Sequence, residues 1–301
     1  MKPTLRQLQY LVAIAETGRF GDAAKKVHVS QPSLSAQIAD MEAQLGTQLV
    51  ERGRAGSILT PAGEDVLHRA RVVLKDMDDL KAAAQQYSGE MAGRVRLGVL
   101  PSIGPYLLPM AAKRLHAQFP ALKLSVREEN RQALFEKIND GRFDVILTVD
   151  GEQDGLMHRP ILTEHLYACI APDADLAQAS GPLRAADLQG ATLLTLGQDF
   201  ILSGMVRDLA AATGAHVSEE YEGNSLDALR QMAAMGTGIA VVPSLYAASE
   251  TRRDDGVVVR HIDVTDMMRE VQLVWRVTTP LGGVFSDMAD ILSEEAHKLA
   301  L

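Results

Sequence analysis

A chain of 301 residues, 47% hydrophobic and 23% charged, is too long for one core and too apolar for disorder, so about two folded domains are expected. No apolar run reaches the roughly 18 residues of a membrane span, the opening is too polar for a secretory signal, and a single cysteine, Cys169, excludes an intrachain disulfide and a cysteine-based metal cluster; a cytoplasmic location is expected. The net charge of −9 divides unevenly, because residues 1–60 carry seven basic and five acidic groups, or +2, and the remaining 241 residues carry −11: a slightly basic head that suits a polyanion and an acidic body that repels one.

The head reads as short helices. Leu5, Leu8, Leu11, Val12 and Ala15 recur at helical spacing up to the stop signal Thr17-Gly18, and Asp22 to Val27 forms a second helix. Ser30 is a good N-cap and Pro32 lies in the first turn of a third helix, whose stripe Leu34, Ile38, Met41 and Leu45 ends at Gly46. Two helices joined by a tight turn predict a helix-turn-helix, whose second helix enters the DNA major groove. Its start, Ser30 and Pro32, and its outward residues Gln31, Ser33, Ser35 and Gln37 suit phosphates and base edges. An ordinary three-helix packing unit has the same pattern, and this alternative stays open here. Two short β segments around Leu49–Arg54 and Ser57–Thr60 predict a wing, with Arg52 and Arg54 placed to reach the DNA backbone or minor groove.

Thr60 and Pro61 then start a long helix. Val66, Ala70, Val73, Met77, Leu80, Ala84 and Tyr87 follow heptad spacing, which predicts a dimerisation seam; a helix lying on its own domain is the alternative. Gly89 to Gly93 is read as the hinge to the body. From Arg94 onward, strands and helices alternate: strands at 95–99, 124–126, 144–149, 165–171, 192–196, 217–221, 238–242, 257–262 and 271–277, and helices at 103–118, 132–139, 202–213, 225–235 and 283–299. Such βα units predict a parallel, doubly wound sheet, and two sheets joined by crossing segments create a cleft at their strand ends.

The order of parts resembles the LysR-type transcriptional regulators: a winged helix-turn-helix domain at 1–60, a linker and dimerisation helix at 61–90, and a two-lobed α/β domain like the periplasmic binding proteins at 91–301. Lobe 1 would take about 91–163 and 268–301, and lobe 2 about 164–267. The residues carrying the likeness are Leu5-Arg6-Gln7-Leu8, Phe20 with Ala23-Ala24, Val29 to Ser35, Ile38, Met41-Glu42, Leu45-Gly46 and Leu59 to Gly63. Where the family often has basic residues in the recognition helix, this chain has Ala36 and Asp40. Ser102 to Pro109, Ser225-Leu226, Leu229-Arg230 and Gly236 to Ile239 look like the peroxide-sensing OxyR branch, whose sensing cysteine pair is missing from the matching stretch Gly197-Gln198-Asp199 and Val206 to Ala210. Either the chain is tuned to another signal, or Asp199 replaces a sensing cysteine by engineering.

The resemblance implies a DNA operator, a small effector, self-association as a dimer of dimers (a homotetramer) and RNA polymerase as partners, with no membrane. By that analogy Ser102, Thr148, Gln198, Asp199, Asn224 and Ser225 face the effector cleft, although Ser102 and Ser225 read equally well as helix caps. A carboxylate at Asp199 disfavours an anion beside it and favours amine or hydroxyl groups; it would equally mimic a negatively charged activated state. Enzyme signals are weak. Gly223-Asn224-Ser225-Leu226-Asp227 lacks the last glycine of a nucleophile elbow, and the eight histidines include no pair at metal-ligand helical spacing, so neither catalysis nor a cofactor is expected. Two other functions remain: a constitutive DNA-binding oligomer without ligand, and a solute-binding module, which the DNA-binding head disfavours.

Overall fold

The computed structural model describes residues 3–53, 56–86, 93–220, 223–250 and 256–298. The chain divides into two compact units, one of Met1–Glu90 with Lys137–Arg142 and one of Met91–Glu136 with Phe143–Leu301.

The first unit contains α1 (Leu5–Thr17), α2 (Phe20–Lys26), α3 (Gln31–Leu45), β1 (Val50–Gly53), β2 (Gly56–Leu59) and α4 (Pro61–Gln86). α1 opens with a capping box between Thr4 and Gln7. α1 and α3 both close on glycines in the left-handed region, Gly18 at φ 68° and Gly46 at φ 71°, a conformation that costs a residue with a Cβ. Tyr10, Leu11, Ile14, Ala23, Ala24, Leu34, Ile38, Met41, Leu49 and Leu67 form one buried core. Two side chains lock its frame. Gln7 donates to Asp40 at 2.8 Å, joining α1 to α3, and Glu42 accepts from the N–H groups of Leu49 and Val50, joining α3 to the wing. Asp40, where the family often has a basic residue, therefore serves the fold.

Thr60 accepts from the N–H of Gly63 and donates to the carbonyl of Gln48, so it caps α4 and fixes the wing's exit together. A Cβ on Gly63 would overlap the Leu49 carbonyl, a main-chain atom in the buried core that has no room to yield. Gly63→Ala is expected to destabilise this unit by about 3 kcal/mol, seen as an earlier transition in thermal unfolding; an unchanged melt would contradict this packing.

The second unit contains β3 (Gly93–Val99), α5 (Gly104–Gln118), β4 (Leu122–Glu128), α6 (Arg131–Asn139, whose last residues belong to the first unit), β5 (Val145–Val149), β6 (Leu156–Ile170), α7 (Asp175–Gln178), β7 (Thr192–Leu194), α8 (Ile201–Thr213), β8 (His216–Val217), α9 (Leu226–Ala234), β9 (Ile239–Pro243), α10 (Ser244–Glu250), β10 (Val258–His261), β11 (Met268–Arg276) and α11 (Gly282–His297). Its described strands form one sheet in the order β4-β3-β5-β11-β6-β9-β7-β8, with β10 also on β6.

The sheet corrects the expectation of parallel pairing throughout. β4, β3 and β5 are parallel, as are β9, β7 and β8, but β11 runs antiparallel to β5 and β6, and β6 antiparallel to β9 and β10. A strand's direction depends on the path of its connection, which the side-chain period does not encode. The strand expected at 165–171 begins at Leu156, the strand expected at 217–221 is described only as His216–Val217, and α10 was not foreseen. β5 and β9 are buried along their whole length, as strands covered on both faces must be.

Candidate functional site

Two sites emerge, one in each unit. In the first, α3 divides cleanly by face. Leu34, Ile38 and Met41 are buried, and Gln31, Pro32, Ser33, Ala36 and Gln37 are exposed along its N-terminal half, with Ser35 half-buried. Ser30, also exposed, accepts from the Ser33 N–H at 3.3 Å and so sets where the helix begins. The structure thus brings Ser30, Gln31, Pro32, Ser33 and Gln37 to one polar, solvent-facing turn whose amides and hydroxyls match phosphate and base-edge chemistry. In the wing, Arg52 stands in β1 opposite Ser57. Arg54 lies outside the described residues, as does Tyr87 of the seam; the side chains of Arg52 and Ala84 are likewise outside the description.

On α4 the predicted seam is not uniform. Ala70 is buried and Val66 packs partly on the unit's own core, whereas Val73 and Leu80 are 42% and 63% exposed and Met77 is half-buried. The first turns of this helix therefore hold the head together, and the exposed apolar positions begin at Val73.

The second site is a small, partly open pocket. Its walls are the loop after β3 (Leu100, Pro101, Ser102), the start of α6 (Asn130, Arg131), residues 196–202 leading into α8, and Arg269 on β11. Of the six residues proposed from sequence, Ser102 and Asp199 line it. Thr148, Gln198, Asn224 and Ser225 do not belong to its lining. Thr148 is fully buried in β5 opposite Gln272, Gln198 and Asn224 are exposed, and Ser225 caps α9 by accepting from the Ala228 N–H.

The floor of the pocket is a charge pair that the sequence did not single out. Arg269 is 2% exposed and Glu164, on β6, is 0% exposed. Arg269 Nε and Nη2 donate to Glu164 Oε2 at 2.9 and 2.6 Å, Nη2 also reaches Ser102 Oγ at 3.2 Å, and Glu164 Oε1 accepts from the Leu245 N–H at the start of α10. Four elements thus meet on one ion pair. The signal available in the sequence was a carboxylate and a guanidinium set among apolar strand residues, where a charge must find a partner. Arg131 is occupied otherwise, donating to the main-chain carbonyls of Val149 and Asp150 and lying over the Phe135 ring.

Cys169 is buried in β6, and desolvation pushes its thiol up to about 12. At neutral pH roughly one thiol in 10^5 is then ionised, and thiolate is the form that peroxide oxidises. Hydrogen peroxide at neutral pH is therefore expected to leave Cys169 unoxidised in a peptide map of the native protein, whatever oxygen the exposed Met157, Met235 and Met268 take up, and Cys169→Ala to behave as the parent does; one added oxygen on Cys169 would contradict this.

Residues 5–64 match the family described as bacterial regulatory helix-turn-helix protein, lysR family, and residues 88–297 match the LysR substrate binding domain. The DNA-binding transcriptional dual regulator OxyR of Escherichia coli strain K12 is 34% identical over 289 residues, covering 96% of this chain and 94% of its own. A full-length OxyR from Pseudomonas aeruginosa carrying a cysteine-to-aspartate substitution superposes with a TM-score of 0.80 at 28% identity, over 96% of this chain and 94% of that one. A hydrogen-peroxide-bound OxyR mutant from Corynebacterium glutamicum gives 0.64 at 28% identity, over 99% and 94%.

Proposed function

This chain belongs to the lysR family of DNA-binding transcriptional regulators, and from that premise we propose that it binds a dyad operator as an assembly of paired chains and that a small effector in the Ser102–Arg269 pocket adjusts that binding. Two α4 helices join through Val73, Met77 and Leu80, presenting two α3 helices to successive major grooves about 34 Å apart. A second pairing makes a tetramer that spans the operator, and RNA polymerase is the further partner at the promoter. The effector shifts the two lobes of the second unit, which are joined by β6 and β11, and the shift alters the spacing of the heads.

The observation that carries this reading is the polar turn Ser30 to Gln37, rigidly mounted on Leu34, Ile38 and Met41 while its amides and hydroxyls face solvent. The signal is not thiol oxidation, since the only cysteine is buried and protonated. Asp199, which the resemblance sets where the OxyR branch carries its sensing cysteine, lines the pocket instead. Between a regulator with an effector and a constitutive DNA-binding oligomer, the buried Arg269 at the pocket floor favours the first, because a purely structural core has little need of a guanidinium there.

Footprinting of the full chain on its own upstream region, with salt titration, tests the DNA reading: a bipartite protected site is expected, with affinity falling steeply as salt rises. Uniform weak protection would overturn it. The effector reading is tested in cells, where Ser102→Ala and Asp199→Asn are expected to change expression from that operator; unchanged expression with both would leave the oligomer without a ligand.

A further inference from the structure

We propose that the effector is a small zwitterion, of the free α-amino acid class; this rests on the effector reading above and specifies its ligand. The donor inventory supports it first. Three of the five N–H groups of a guanidinium belong to Nε and Nη2, and in Arg269 these meet Glu164 and Ser102. Nη1, with the other two, has no hydrogen-bond partner among the described residues. Ser102 is 8% exposed, and its hydroxyl accepts from Arg269 while its own O–H has no acceptor among them. A buried guanidinium with two unused donors, beside a hydroxyl with one, matches a carboxylate with its two oxygens.

The charge count supplies the second half. The charged side chains at this pocket are Arg269 and Arg131, balanced by Asp199 on its wall and Glu164 behind its floor. The set is neutral, so a ligand with one formal charge would leave an excess in a partly desolvated space, whereas a ligand carrying both signs would not. Asp199 has no partner among the described residues and lines the same pocket as Arg269, so the wall opposes a second carboxylate and accepts an ammonium. Apart from Asn130, whose Oδ1 accepts from the Ala133 N–H, the remaining lining is apolar, through Leu100, Pro101, Leu196 and Phe200, which favours a short aliphatic body between the ligand's two charged ends. Glu164 acts as a positioning residue: it touches no ligand, but it fixes the guanidinium plane.

The test is calorimetric titration of the full chain with each proteinogenic L-amino acid and, for the tightest binder, with its amide (ammonium only) and its N-acetyl derivative (carboxylate only). At least one amino acid is expected to bind about tenfold more tightly than both of its singly charged analogues. Asp199→Asn, an exposed position that the fold tolerates, is expected to weaken the amino acid about tenfold and to leave the N-acetyl derivative unchanged, and Ser102→Ala is expected to weaken both. Equal binding of the amino acid and its N-acetyl derivative would overturn the zwitterion while leaving an effector site in place. Binding of no amino acid at millimolar concentration would also overturn it, and the expression test on Ser102→Ala and Asp199→Asn then decides separately whether the pocket regulates at all.

Discussion

Val73→Asp combined with Leu80→Asp is expected to yield a folded monomer that no longer protects its operator. Both side chains are exposed on α4 and outside the core of the first unit, so a monomer loses nothing by their replacement. In a two-fold pair each contributes twice, and four buried aliphatic side chains at roughly 1.5–3 kcal/mol apiece make about 6 kcal/mol or more of association energy, on the order of 10^4 in the dimer constant. Four carboxylates brought into the same seam add like-charge repulsion. Operator affinity falls with it, because each head then binds its half-site without the avidity of a linked pair, a factor of about 10^2 to 10^4. Sedimentation measures the first loss and footprinting the second. A stable dimer with undiminished protection would move the pairing surface away from α4. Val66 and Ala70 are unsuitable for this experiment, since they serve the head's own packing and their replacement would confound unfolding with dissociation.

The second large effect concerns Glu164→Ala. Removing the carboxylate leaves Arg269 charged, 2% exposed and bonded only to a serine, and it also orphans the Leu245 N–H. Breaking a buried pair from one side costs about 3–5 kcal/mol, much of it the desolvation of the charge left behind. Replacing both members, Glu164→Met with Arg269→Leu, is expected to recover most of that loss while abolishing ligand binding. Trp275, the only tryptophan of the chain, is buried six residues further along β11 and reports local unfolding of this unit by fluorescence in a denaturant series. If the single and double variants unfold together with the parent, the ion pair contributes neither to the stability of β6 and β11 nor to the setting of Arg269. The pair of variants also separates two roles: one restores the fold without the guanidinium, and the other keeps the guanidinium without its support.

The two sites differ in how far the sequence exposed them. The exposed polar face of α3 was readable residue by residue, because an N-cap serine, an N-terminal proline and a buried stripe at helical spacing fix which side chains point outward. At the pocket, Ser102 and Asp199 were found through the likeness to a family, whereas Arg269, Glu164, Asn130 and Arg131 were not. Thr148 looked suitable by its place at a strand end, yet β5 is covered on both faces, which leaves Thr148 fully buried opposite Gln272.

Sequence alone determined what depends on neighbours a few positions apart: the caps at Ser30 and Thr60, the left-handed glycines 18 and 46, the order of the parts and the scarcity of reactive thiols. Tertiary structure decided what depends on residues far apart in the chain. Arg269 meets Glu164 across 105 residues and Ser102 across 167, and Gln7 meets Asp40 across 33. It also decided that β6 and β11 run antiparallel to their neighbours and that the first turns of α4 stay with their own head. The physical reason is the range of the forces that choose. Helix periods and caps are satisfied within one or two turns of backbone, while a buried charge is tolerated only once the whole sheet has brought its counter-charge within hydrogen-bonding distance.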